Sequence, residues 1–181
     1  MTDDEILART REWVEKAVIG LNLCPFARAV WVREQVRVVV SRARHVDAFL
    51  DELDRELDLL ATTPAEQIDT TLLVHPALFP DFGMFNDFLG IVDDVVAEHD
   101  LEGVIQVAPF HPLFQFEGTA PDDITNATNR SPFPILHLLR EESVERAVAT
   151  DAGDADAIVE RNMKTLTELG HEGWARLWNK S

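Results

Sequence analysis

Residues 36–75 read VRVVVSRARHVDAFLDELDRELDLLATTPAEQIDTTLLVH. Two short apolar runs, Val36 to Ser41 and Asp69 to His75, enclose a longer segment of different periodicity. Within that segment Val46, Phe49, Leu50, Leu53, Leu57 and Leu60 recur at three- and four-residue spacing, which puts them on one face of a helix. Thr62-Thr63-Pro64 ends the stripe, and Pro76 closes the second run. The stretch therefore predicts strand, helix, strand. Its connection is long enough for a right-handed crossover between parallel strands.

The pattern repeats downstream. Phe85, Phe88, Leu89, Val92, Val95 and Val96 make another helical stripe, and Gly103 marks the turn into a strand at Val104 to Ala108. Two crossovers in succession predict an α/β fold: a small, at least partly parallel sheet of three to four strands with helices packed on it. A ferredoxin-like α+β arrangement is the alternative. Upstream, Thr2 or Asp3 caps a first helix carrying Ile6, Leu7, Trp13, Val14, Ala17, Val18 and Leu21, ended by Gly20-Leu21-Asn22. Val30 to Val32 reads as a short partner or lead-in to the first strand.

From Pro109 to Arg130 there is no convincing periodicity, and unstructured stretches of that length are often functional. Asn126, Thr128 and Asn129 are expected to stiffen it through side-chain hydrogen bonds to backbone. Ser131, with Pro132 after it, reads as the cap of a helix running through Leu136 and Leu139 to about Val148. Thr150 to Asp156 reads as a polar turn, followed by a last helix that stops at Gly170. Trp174, Leu177 and Trp178 are expected to cover an edge of the core. The 181 residues suit a single α/β domain over 1–181.

Composition narrows the partners. With 33 acids against 16 bases the formal charge is −17. Nucleic acid is excluded as an expected partner, because that affinity comes largely from Lys and Arg neutralising phosphates. An anionic membrane surface is disfavoured likewise, and no run approaches the roughly 20 apolar residues of a span. The opening MTDDEILART carries acids where a secretory signal carries bases. The single cysteine, Cys24, forms no internal disulfide and suits a reducing compartment. The expected location is cytoplasmic.

Three segments carry candidate chemistry. Cys24 precedes Pro25-Phe26-Ala27, so a short helix starting there would offer backbone N–H groups to a thiolate. His111, in Pro109-Phe110-His111-Pro112, lies just beyond a strand end, at the edge where open α/β sheets tend to bind ligands. On the helix read over 131–148, His137, Arg140 and Glu141 share one face, which lets Glu141 orient the imidazole and Arg140 clamp an anion. Asn129 and Arg130, just ahead of the cap, are candidate substrate-binding residues. His45, His75, His99 and His171 have no comparable neighbours. Asp51, Asp54 and Asp58 read as a solvated helix face. No zincin helix, phosphate-binding glycine loop or dinucleotide fingerprint is present.

The same segments carry a resemblance. Ala17-Val18-Ile19-Gly20-Leu21-Asn22-Leu23-Cys24-Pro25-Phe26, then Phe110-His111-Pro112, then Thr128-Asn129-Arg130-Ser131-Pro132 with His137-Leu138-Leu139-Arg140-Glu141 resemble the bacterial domain-of-unknown-function family 1415. Glu160-Arg161-Asn162 through Leu169-Gly170 extends the likeness over nearly the whole chain. It implies a stand-alone, single-domain member and brings no activity with it.

The preferred expectation is a small enzyme with a pocket at the C-terminal edge of the sheet, built from Cys24, His111, Arg130, His137, Arg140 and Glu141. Cys24, His111 and His137 are the tentative ligands of a divalent metal with an open position for water, the arrangement of a metal-dependent hydrolase. Without a metal, Cys24 is the nucleophile and His111 or His137 its base, acting on a small anionic substrate. The competing classes are a non-catalytic module binding a small anionic ligand and an acidic protein-interaction domain.

Overall fold

The computed structural model describes residues 1–149 and 155–179. The polar turn expected at Thr150 to Asp156 lies almost wholly outside the described residues. The chain is an α/β protein with one four-stranded mixed sheet.

Strand β1 (Val36–Val40) leads through α3 (Val46–Thr62) to β2 (Thr70–Val74), and α4 (Phe82–Glu98) leads on to β3 (Ile105–Phe110). β1 and β2 pair in parallel, Val36 opposite Thr70 and Val40 opposite Val74. β3 does not join β2. The fourth strand, β4 (Ile135–Arg140), inserts between them, antiparallel to both, and gives the order β1-β2-β4-β3. This arrangement replaces the ferredoxin-like alternative.

β4 corrects the helix expected from Ser131 to Val148. Residues 135–140 are strand, and only α5 (Glu141–Ala147) is helical. Ile135, Leu136 and Leu138 are all buried, so the run faces apolar layers on both sides of the sheet, as a central strand must. Pro134 also biases Phe133 away from helical geometry. Val30 to Val32 differs in the other direction: it belongs to the short helix α2 (Ala27–Val32).

Alternation along the strands divides the core in two. On one face, Leu73, Leu136, Leu138 and Ile105 pack against Phe49, Leu53 and Leu57 of α3 and Phe85, Phe88 and Val92 of α4. On the other, Leu72, Val74 and Ile135 pack against Ile6 and Trp13 of α1 (Asp3–Trp13) and against Val14 and Ala17. Thr2 caps α1, accepting from the Glu5 N–H while the Glu5 carboxylate accepts from the Thr2 N–H, a reciprocal capping box. Beyond Trp13 the helix widens into a π-type stretch, Val14–Ile19.

The last helix, α6 (Ala155–Arg176), breaks at Gly170, whose φ of 64° and ψ of 176° are open to glycine and strained for other residues. The chain resumes helical form afterwards. Trp174 and Trp178, two of the three residues expected to cover an edge of the core, then pack beside the α1 layer. No helix among the described residues is long and apolar enough to cross a membrane.

The segment from Pro109 to Arg130 is ordered from within. Asn126, fully buried, accepts from the Phe116 N–H and the Thr119 hydroxyl, and donates to the Ala120 carbonyl. Thr128 donates to Thr125 O and Asn129 to Pro109 O. A 3₁₀ turn, Ile124–Asn129, places Ala127 against Leu23 and Leu166.

Candidate functional site

The α1 face of the sheet is not completely filled. A cavity of about 290 Å³ lies there, floored by Thr70, Leu72, Ala108 and His137 and roofed by Phe26, Val30 and Trp31 of the α2 region. Val14, Val18 and Phe110 close further sides. Thr70 is the first residue of β2, Val36 the first of β1, and Arg140 the last of antiparallel β4. The cavity therefore lies toward the N-terminal ends of the parallel strands, opposite to the C-terminal edge expected from sequence.

The polar groups within it are few. His137 lies on β4, and its Nε2 is 2.8 Å from Thr70 Oγ1. The Thr70 hydroxyl proton is already given to Leu138 O at 2.6 Å. Thr70 can therefore only accept from the ring, which fixes the proton on Nε2 and leaves Nδ1 as a bare lone pair. Among the described residues Nδ1 has no hydrogen-bond partner. What surface His137 retains is cavity wall, and loss of hydration lowers its pKa to about 4. The imidazole is neutral at pH 7.

Cys24 borders the same cavity, in the turn between the π-type stretch and α2. Burial pushes its thiol pKa up, and hydrogen bonds from the Phe26 and Ala27 amides offset this only partly. The short helix starts at Ala27 with Phe26 as its cap, two residues beyond the start at Pro25 expected from sequence, and desolvation outweighs the Phe26 and Ala27 amides, so the thiol stays protonated.

His111 does not join this pair. It is buried against the opposite layer, its ring stacked on Phe85 at 5.3 Å. Nε2 donates to Phe79 O at 2.8 Å and Nδ1 accepts from the Leu113 N–H at 3.0 Å, so both nitrogens are used. The tentative metal set of Cys24, His111 and His137 is thus not brought together. Among the described residues no group of three or more His, Cys, Asp or Glu is placed to hold a metal ion.

The two arginines hold backbone. Arg140 borders the cavity, but its Nη2 donates to Leu60 O, Thr63 O and Ile68 O, the carbonyls that end α3 and lead out of it. Its buried Nε has no acceptor among the described residues. Arg130 donates to Phe114 O and Pro121 O, lies outside the cavity, and staples its own loop. Asn129 pins Pro109 in the same way. Glu141 starts α5, where its N–H donates to Val104 O, and does not line the cavity. The shared helical face of His137, Arg140 and Glu141 disappears with the helix that was to carry it.

Sequence reasoning missed Thr70, whose part in setting the His137 tautomer depends on register alone. It also missed His99, which bridges Asp54 and Asp58 at 2.9 Å each and joins the end of α4 to α3. Those aspartates are four residues apart on a helix, a spacing that could have prompted a search for a shared partner.

The model of the family described as protein of unknown function (DUF1415) matches residues 5–176 of the chain. This protein belongs to that family. No curated protein and no solved structure matches it.

Proposed function

We propose that this protein binds a small, uncharged, largely apolar molecule in the α1-face cavity, with the His137 Nδ1 lone pair accepting the ligand's hydrogen-bond donor. The observation that carries the reading is the unpaired Nδ1 on a neutral imidazole, set in a wall otherwise made mainly of Val, Leu, Phe and Trp. An apolar pocket with a few fixed polar groups is the usual form of a small-molecule site. An anionic ligand is less favoured, because the one guanidinium bordering the cavity is committed to three carbonyls. A cytoplasmic setting suits the free thiol of Cys24.

A second reading is an enzyme with Cys24 as nucleophile and His137 as base, favoured by their presence on one cavity. Both groups are neutral at pH 7, so the thiol proton would have to pass to Nδ1 as the sulfur bonds to an electrophilic substrate atom.

Indole and indene separate donor recognition from apolar burial, since they share a shape and only indole carries an N–H. Indole is expected to raise the melting temperature more than indene, and His137→Leu to remove the difference while indene still binds. Equal shifts from both compounds in the wild type would remove the role given to Nδ1. No shift from either would remove the cavity reading.

A further inference from the structure

A second concavity adjoins the apolar cavity, the two sharing Trp13 as a wall. A groove of about 460 Å³ opens between α1, the segment ahead of β4 and the end of α6, with Arg9, Glu12, Arg130, Trp174 and Trp178 among its walls. Trp174 and Trp178 meet edge-on at 5.4 Å. Trp13 is held on the inner side by its Nε1–H, which donates to Arg130 O at 2.9 Å.

Donors outnumber acceptors here. The Arg9 guanidinium lies 5.1 Å from the centre of the Phe133 ring and has no carboxylate partner among the described residues. The indole N–H groups of Trp174 and Trp178 have no acceptor among them either. Glu12, the one acid of the wall, is held by Lys16 at 2.8 Å. Arg130 gives its Nε–H and one Nη2–H to carbonyls and keeps its charge. Asp123, whose carboxylate accepts from the N–H and hydroxyl of Thr125, offsets that charge in part. In a chain of net charge −17, a groove that gathers two guanidiniums beside two indoles, one of them (Arg9) without a carboxylate partner among the described residues, runs against the trend of the whole surface.

We propose that this groove binds a small aromatic carboxylate, its anion taken by Arg9 and an indole N–H and its ring laid against Trp174 and Trp178. Charge complementarity and the surplus of donors select the anion, and the indole faces select a flat apolar body.

The test is a titration of the ¹⁵N-labelled protein with 1-naphthoate, following the four indole N–H signals, with neutral 1-naphthamide as comparator. The Trp174 and Trp178 signals are expected to move saturably with naphthoate while Trp31, which borders the apolar cavity, stays still. Naphthamide should bind about tenfold more weakly. Arg9→Gln, at an exposed position, should weaken naphthoate about fivefold and leave naphthamide unchanged, the range expected for one charge-assisted contact. Equal affinity for both compounds, movement of Trp31 in place of Trp174 and Trp178, or no movement at all would each overturn the proposal. Equal affinity or no movement leaves the indole–indene comparison untouched, since it concerns the other cavity, whereas movement of Trp31 would place the carboxylate in that cavity.

Discussion

Thr70 has one hydroxyl proton, and Leu138 O takes it; the tautomer of His137 follows from that single fact. Histidine chemistry in this chain is decided residue by residue through such partners. His75, His111 and His137 all lie below the ordinary pKa of 6.5, in each case chiefly because burial penalises the cation. The unfolded chain protonates these rings near pH 6.5 and the folded chain resists, so each removes stability as pH falls below 6.5. His99 lies above 6.5, raised first by its bond to Asp54. Its contribution is complete below 6.5 and is lost as pH rises through its folded value. Urea unfolding should therefore give falling stability from pH 7 to pH 4.5. His137→Gln should recover roughly 2–3 kcal/mol of that loss, because its folded pKa of about 4 spans most of the window. An unchanged pH slope in the variant would mean that His137 titrates in the folded state near its ordinary value. The sequence made Cys24 and His137 legible as residues with unusual neighbours. It could not show Thr70, which meets His137 across 67 positions of chain.

At the scale of elements, the first two crossovers were readable because each strand carries a short β-branched run and each helix a long stripe of separate period. β4 was not. Ile135-Leu136-His137-Leu138-Leu139 is a buried run without alternation, and helix and strand cannot be told apart on such a run by period. What makes it a strand is the vacant position between β2 and β3, where it can pair on both sides. The misreading carried the site with it: Arg140 was expected to face a ligand beside His137, whereas neighbouring strand residues alternate in direction. Arg140 instead holds carbonyls at the end of α3, where a cation is also favoured by the helix dipole. Arg140→Met should cost about 2–4 kcal/mol through the stranded carbonyls, read as a lower urea midpoint. It should leave the indole-induced shift in melting temperature intact. Loss of indole binding at unchanged stability would make Arg140 a ligand-binding residue after all.

For the whole molecule, the decisive quantity is the excess of 17 negative charges over 181 residues. The ion pairs that could offset it are mostly solvent-facing: Arg42 with Asp3, Arg146 with Glu142 and Lys164 with Glu168 are all well exposed. Such pairs contribute about 0–1 kcal/mol each. The Arg37–Glu56 pair is the better-placed one, bidentate at 2.7 and 3.0 Å with Glu56 on the buried face of α3. Salt acts on both sides of this balance. It weakens the exposed pairs slightly, and it screens the repulsion among all the surplus carboxylates at once. The Debye length shrinks from roughly 10 Å at 0.1 M to about 3 Å at 1 M, so repulsion summed over many distant pairs loses more than a few contacts at 3–4 Å. Folding compacts those charges, and the folded state therefore gains more from screening than the unfolded chain. The melting temperature at pH 7 should rise by several degrees between 0.02 and 0.5 M NaCl, and equally in NaCl and KCl at matched ionic strength. A melting temperature that falls with salt would mean that the exposed pairs, and not the net charge, dominate the electrostatics of this fold.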